Sequence, residues 1–234
     1  MNSFLLRRLA PFYAINLIIE FLTLGILLLA MREYVDWSFM PMVKTVGVLL
    51  KTTTISFLFI MLPYVLYLLF LPTAKINSRF DKIITTGGFA IFVFGCMFEE
   101  TMSLVFWNKF SAAFNILAVE YLIDMREVAG DIAQNYLFAG YVVSLMLISY
   151  LVVRRSRKYL FTDLPSPHWF KRLIYTLIYL SFCGLIYVNA NERELEIDEN
   201  YFNNELAKDG VYSLARSLWK SGISYEDIKI LKKN

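Results

Sequence analysis

Apolar runs dominate the first 190 positions, and polar stretches break them at short intervals. The pattern predicts five membrane-spanning helices, over 10–31, 46–71, 83–98 or slightly beyond, 137–153 and 173–188. Most of these runs approach the ~20 apolar residues a helix needs to cross a hydrocarbon layer. The first run follows Arg7 and Arg8 and ends in MREYVDW, without a small-residue cleavage site. It therefore reads as a retained span and not as a removable signal. Pro72 closes the second run, and Gly87, Gly88 and Gly95 in the third permit close helix packing.

Between the third and fourth runs, positions 106–136 are too polar to cross a bilayer and too apolar for a plain linker. Phe110, Phe114, Leu117 and Tyr121 recur at helical spacing, and so do Met125, Val128, Ala129 and Ile132, with Gly130 among them. Glu120, Asp124, Arg126, Glu127 and Asp131 take much of the remaining surface. This predicts a pair of amphipathic helices lying at the membrane–water interface. The tail, 191–234, starts acidic and then carries Val211, Tyr212, Ala215, Leu218 and Trp219 on one helical face. It offers too little apolar surface for a core of its own, so it is expected to dock on the outer face of the membrane region. The fold class is thus all-α integral membrane: a five-helix domain over 1–190 with interfacial helices, then a short helical tail over 191–234.

Composition agrees with this pattern and sharpens it. Hydrophobic residues make up 58% and charged residues 18% of the 234 positions, against roughly 45–50% and about 25% in soluble domains. The distribution of charge predicts orientation. Arg7 and Arg8 precede the first span, the loop TAKINSRFDK is net +2, and the loop 154–172 is net +5. The alternate loops are neutral over 32–44 and net −2 over 106–136. Positive loops stay cytoplasmic, which places the N-terminus inside and the tail outside. Nucleic acid is not an expected partner; membrane lipid is.

Candidate chemistry is sparse. Glu20 sits within the first span, where an exposed carboxylate is costly, and Lys51 within the second. The two are candidates for an intramembrane pair, with snorkelling of Lys51 as the alternative. Glu99 and Glu100 are adjacent, so on a helix they point about 100° apart; they are read as marking the end of the third span. Cys96 and Cys183 lie in apolar runs without metal-ligand spacing, and His168 stands alone in a basic loop. No phosphate loop, nucleophile–base set or divalent-metal pattern is recognisable, so no catalytic residue and no cofactor is assigned to the chain.

Two stretches carry a resemblance. The run from Phe106, Trp107 and Phe110 through Phe114, Asn115, Ala118, Val119, Glu120, Tyr121 and Leu122, continued by Glu127, Val128, Gly130 and Tyr136, resembles the signature between the third and fourth spans of the lipoteichoic acid synthase family. Asn204, Glu205, Leu206, Gly210, Tyr212 and Ser213 are similar to that family's linker beyond the fifth span. Where the family commonly has an arginine before the Phe-Asn pair, this chain has Ala113. The resemblance implies a sulfatase-like phosphoglycerol or phosphoethanolamine transferase of the bacterial plasma membrane. Its catalytic domain, outside the membrane, uses a divalent metal. This chain then corresponds to the membrane anchor and linker, truncated or split before the catalytic domain, which is a candidate partner in trans. Glu99, Glu100, Trp107, Asn115, Glu120, Tyr121 and Glu127 are the candidate lipid and interface contacts. The alternatives are a stand-alone, non-catalytic membrane interaction or regulatory protein and a small transporter.

Overall fold

The computed structural model describes residues 4–115, 136–161, 167–189 and 199–221. The described chain is helical throughout, in the order α1 (Phe4–Ala30), α2 (Phe39–Ile60), α3 (Leu62–Phe70), a 3-10 turn (Thr73–Lys75), α4 (Arg79–Phe110), α5 (Tyr136–Leu160), α6 (Trp169–Asn189), α7 (Tyr201–Leu206) and α8 (Gly210–Ser221). Five of these, α1, α2, α4, α5 and α6, are long and apolar enough to cross a membrane. The chain is a multi-pass helical membrane protein.

Three boundaries differ from the sequence reading. The second apolar run is not one helix: Pro63 stands at the start of α3, and the chain breaks at Met61 between α2 and α3. Proline lacks the N–H that a continuous helix would need there. The third span is longer than expected and runs to Phe110, so Glu99 and Glu100 lie inside α4 and do not mark its end. The helix stops at Ser111, which adopts a left-handed conformation at φ 51° and donates its N–H to the Trp107 carbonyl. Residues 111–115 are not helical, so Phe110 and Phe114 do not share an amphipathic helix. Their rings instead close on Phe106, with centroids 4.5 and 5.3 Å away. The rest of the predicted interfacial pair, 116–135, lies outside the described residues.

The glycines of α4 were expected at a helix interface. A Cβ added at Gly87, Gly88 or Gly95 would meet nothing within 4 Å, so these positions are open on the outer surface. Close packing is carried instead by aromatic rings. Phe12 of α1 sits edge-on to Phe89 of α4 at 4.9 Å and tilts against Tyr64 of α3 at 5.0 Å. Around them Val65, Leu68 and Val93 are fully buried, and this core fills the half of the bundle nearest Phe4. A second cluster fills the other half, with Leu24, Leu49, Trp107 and Leu206 from α1, α2, α4 and α7.

The Phe4 end is locked by a buried ion pair. Arg8 of α1 donates to the Asp81 carboxylate of α4 at 2.6 Å, and both side chains are essentially unexposed. Asp81 also accepts from the Tyr67 and Thr85 hydroxyls and from the Asn77 N–H. Asn77 takes φ 61°, a conformation its short polar side chain tolerates, and its own side chain accepts from Arg8. A buried charge is tolerable when paired and hydrogen-bonded; this network pairs the charges and satisfies the Asp81 carboxylate, while Arg8 Nη1 is left without a hydrogen-bond partner. Arg172 of α6 reaches the same end and donates to the Leu68 and Leu71 carbonyls, closing the free end of α3.

Candidate functional site

The described part of the tail does not lie over the bundle; it enters it. Thr45, Leu49, Thr52 and Ser56 of α2 recur at i, i+4, i+7 and i+11, one stripe on one face, and all four are buried. The tail follows this stripe inward. The Asn203 carbonyl accepts from Thr45 at 3.5 Å, the Ala207 carbonyl accepts from Thr52 at 3.4 Å, and the Ser56 hydroxyl donates to the Asp209 carboxylate. In chain order the contacts step from about 9 Å to about 26 Å along α2, counted from Phe39. α7 descends, the chain turns at Asp209 and Gly210, and α8 leaves along α2 and α4. Residues 199–221 thus form a re-entrant helical hairpin.

Each turn of the hairpin has a local cause. Asn200 caps α7 by accepting the Asn203 N–H at 3.0 Å, and donates to the Tyr34 carbonyl at 2.9 Å. Asn203 is wholly buried. Its side chain accepts the Asp36 N–H at 2.9 Å and donates to the Asp36 carbonyl at 3.0 Å, so the 31–38 loop and the tail are tied as two strands of a ladder would be. Asp209 caps α8 by accepting the Tyr212 N–H at 2.7 Å. Burial pushes the Asp209 carboxyl above its ordinary value, and its bonds from Ser56 and the Tyr212 N–H pull it partly back.

The hairpin tip meets three further carboxyl groups. Glu20 of α1 and Glu100 of α4 each lie ten residues from the ends of their helices, about 15 Å deep. Their carboxyl groups face one another, with Thr23 beside Glu100. Glu99 turns towards the tip, and its Oε1 is buried without a hydrogen-bond partner. That oxygen occupies the place where a Cβ on Gly210 would be, and the Phe114 ring is 3.1 Å from the same place. A Cβ there fits only if the Glu99 carboxyl, the end of a flexible side chain, moves away. Glu205 closes the other side: it accepts the Ala113 N–H at 3.0 Å and pairs with Lys208. Between these groups lies a narrow cleft with about 20 Å³ of room for water-sized occupants, walled by Leu24, Leu27, Leu49 and Leu206. Trp107 also lines it; only 2% of this residue is exposed, and its indole N–H has no hydrogen-bond partner.

The structure therefore brings together Glu20, Glu99, Glu100 and Trp107 of the sequence-derived candidates. Glu20 faces Glu100, whereas Lys51 is exposed on α2. Asn115 is half-buried just past the end of α4. Glu120, Tyr121 and Glu127 lie outside the described residues. Asp209, Asn203, Ser56 and Thr23 were not singled out in the sequence. The signal for them was the stripe of small hydroxyl residues on α2, an unusual face for an apolar helix unless polar backbone packs on it. Among the described residues no three His, Cys, Asp or Glu side chains are grouped so as to hold a metal ion. The groups present thus do not fit the divalent metal of a sulfatase-like centre, and no chemical step is assigned to them.

A helical bundle with an inserted hairpin and a carboxylate-floored cleft is the class that fold and site define. No protein-family model, curated protein or solved structure matches the chain.

Proposed function

We propose that the chain is the membrane module of a sulfatase-like phosphoglycerol or phosphoethanolamine transferase of the lipoteichoic acid synthase type, seated in a bacterial plasma membrane with the hairpin on the extracytoplasmic side. One observation carries the reading. The two stretches that resemble this family lie far apart in sequence, yet they meet: Glu205 accepts from the Ala113 N–H across 92 positions, and Gly210 packs against Phe114. Leu206 and Trp107 share one buried cluster. Residues that resemble a family signature for one physical reason should contact one another, and these do. A linker sunk into the bundle also suits an anchor, because it fixes the height and direction from which a catalytic domain is held. The chain itself supplies placement and lipid contact; the reaction belongs to the domain it holds.

The test is recovery of the tagged chain from its native membrane, followed by mass spectrometry of what accompanies it. A sulfatase-like domain is expected, in the same polypeptide or beside it. Recovery without one, together with unchanged phosphoglycerol and phosphoethanolamine content of the envelope after deletion of the gene, would overturn the reading.

A further inference from the structure

The cleft beside the hairpin tip is small, with about 20 Å³ of room for water-sized occupants. Roughly 10–15 Å³ of such room is enough for one water, provided that about two to four polar groups hold it. The walls supply those groups. Trp107 lines the cleft and is almost wholly buried, and its indole N–H is a donor without a partner. Such a donor is costly until an acceptor reaches it. Glu20 and Glu100 line the same cleft with their carboxyl groups face to face, and Ser103 lines it beside them. The charged groups that bear on Glu20 are carboxyls: Glu100 first, then Asp209 and Glu99. Cys96 stands near the same four acids, while Glu205 and Lys208 pair with each other at the edge of the cleft. Carboxyl groups gathered in this way repel unless protons are held among them.

We infer that the cleft binds one water, which accepts from the Trp107 indole and donates to the Glu20–Glu100 pair, and that this water is the path by which the pair exchanges protons with the outside while the hairpin stays docked. One oxygen satisfies the indole donor, and its two protons meet carboxyl oxygens, so all the bonds expected of a buried water are made. Proton transfer through a single intervening water is ordinary acid–base chemistry. The water takes a proton arriving at the mouth and releases one of its own to a carboxylate oxygen; the reverse step returns it. Neither atoms nor charge are left behind on the water. Lys208 lines the cleft with its side chain 22% exposed, which marks the mouth. In the opposite direction the bundle is closed: Phe12, Val65, Phe89 and Val93 fill the half that separates the cleft from the Arg8–Asp81 network. The pair thus holds a proton and takes it from one side, without conducting it across the membrane.

The test uses the full chain in detergent. Nuclear magnetic resonance of indole-labelled protein reads the water directly. The Trp107 resonance, one of four tryptophans, is assigned by its loss in Trp107→Phe, and a cross-peak from its indole proton to water is expected. An indole proton without that cross-peak overturns the inference. The path is read after transfer to heavy water. Infrared difference spectra follow deuteration of the protonated carboxyl, identified by its loss in Glu20→Gln or Glu100→Gln, while mass spectrometry follows amide exchange in 199–221. Ser103→Val puts methyl groups into the room for water, and Trp107→Phe removes the donor. Each is expected to slow carboxyl deuteration at least fivefold with hairpin exchange unchanged. Asn203→Ala, which loosens the hairpin, is expected to do the reverse: faster hairpin exchange, unchanged carboxyl deuteration. Carboxyl deuteration that follows hairpin exchange in every variant means that protons reach the pair only by undocking, and overturns the path. So does the lack of any carboxyl band that the glutamine variants remove. Hairpin exchange also shows whether each variant is folded, and the cross-peak in the unaltered chain needs no variant fold beyond its assignment. None of these readings involves a transferase, so this site and the proposed function fail separately.

Discussion

At the scale of single residues, the hairpin is held by polar side chains whose removal leaves buried partners unmatched. Asn203→Ala strands the N–H and carbonyl of Asp36 and removes one of the bonds made by the Thr45 hydroxyl, which keeps the Asn203 carbonyl as acceptor. An unsatisfied buried group costs about 1–3 kcal/mol, so docking of 199–221 should weaken by roughly 2–3 kcal/mol on that principle. Faster hydrogen–deuterium exchange in the hairpin, with α1 and α4 unchanged, is the expected reading. Arg8 and Asp81 behave differently because they are charged and buried together. Losing one leaves the other uncompensated, and Asp81→Ala should cost about 3–5 kcal/mol in denaturation of the detergent-solubilised protein. Replacing both by apolar residues should restore much of that loss. Asp209 adds a pH dependence. Its carboxyl is raised by burial when docked, so the docked state binds a proton more tightly than the undocked one. Docking is therefore strongest at low pH and is lost progressively as pH rises from the ordinary aspartate range towards the docked value. The groups facing Asp209 are Ser56 of α2, Glu20 of α1, and Glu99 and Glu100 of α4. Hairpin exchange rates followed across pH should show this slope, and Asp209→Asn should flatten it.

At the scale of elements, glycines separate into two kinds that the sequence alone does not distinguish. Gly88 opens on the outer surface of α4, so Gly88→Ala should be neutral or stabilising by up to ~1 kcal/mol through helix propensity. Gly210 is filled by Glu99 and Phe114, so Gly210→Ala must push the carboxylate aside and should loosen the hairpin by about 1–3 kcal/mol. Thermal unfolding of the two variants in the same detergent compares them directly. Hydrophobic periodicity located the long apolar helices because burial in lipid imposes one rule over twenty residues. It was weaker at breaks and joins. Pro63 ended α2 inside a continuous apolar run, and the helical spacing from Phe110 to Phe114 reflected two rings closing on Phe106, Phe110 from the last turn of α4 and Phe114 from beyond it. The candidate site was half legible: Glu20, Glu99 and Glu100 stood out as carboxyls in apolar surroundings. Glu20 and Glu100 meet where α1 packs on α4; what the hairpin adds is Asp209 and Gly210, and no local pattern in 199–221 specifies its depth. That information lies in the Thr45–Thr52–Ser56 stripe of another helix.

For the whole molecule, the two ends of the bundle are chemically distinct. One end carries the Arg8–Asp81 network, Arg172 and the 3-10 turn with Lys75. The other carries the 31–38 loop with exposed Tyr34 and Trp37, tied to Asn200 and Asn203 of the tail. Because the tail is bonded to that loop, the two must share a side of the membrane whichever way the bundle is inserted. Charge decides the way. The basic loops cluster at the Arg8 end, and lysine and arginine resist translocation, so that end should face the cytoplasm. Single cysteines test both statements at once. Glu33→Cys and Tyr201→Cys are expected to react with an impermeant maleimide in intact cells, whereas Lys75→Cys and Arg157→Cys should react only after lysis. Labelling of Glu33→Cys and Tyr201→Cys from opposite sides would break the docked hairpin. Labelling of all four in the inverted pattern would keep the bundle and reverse its insertion, placing the cleft and its carboxylates on the cytoplasmic side, where an extracytoplasmic transferase has no use for them.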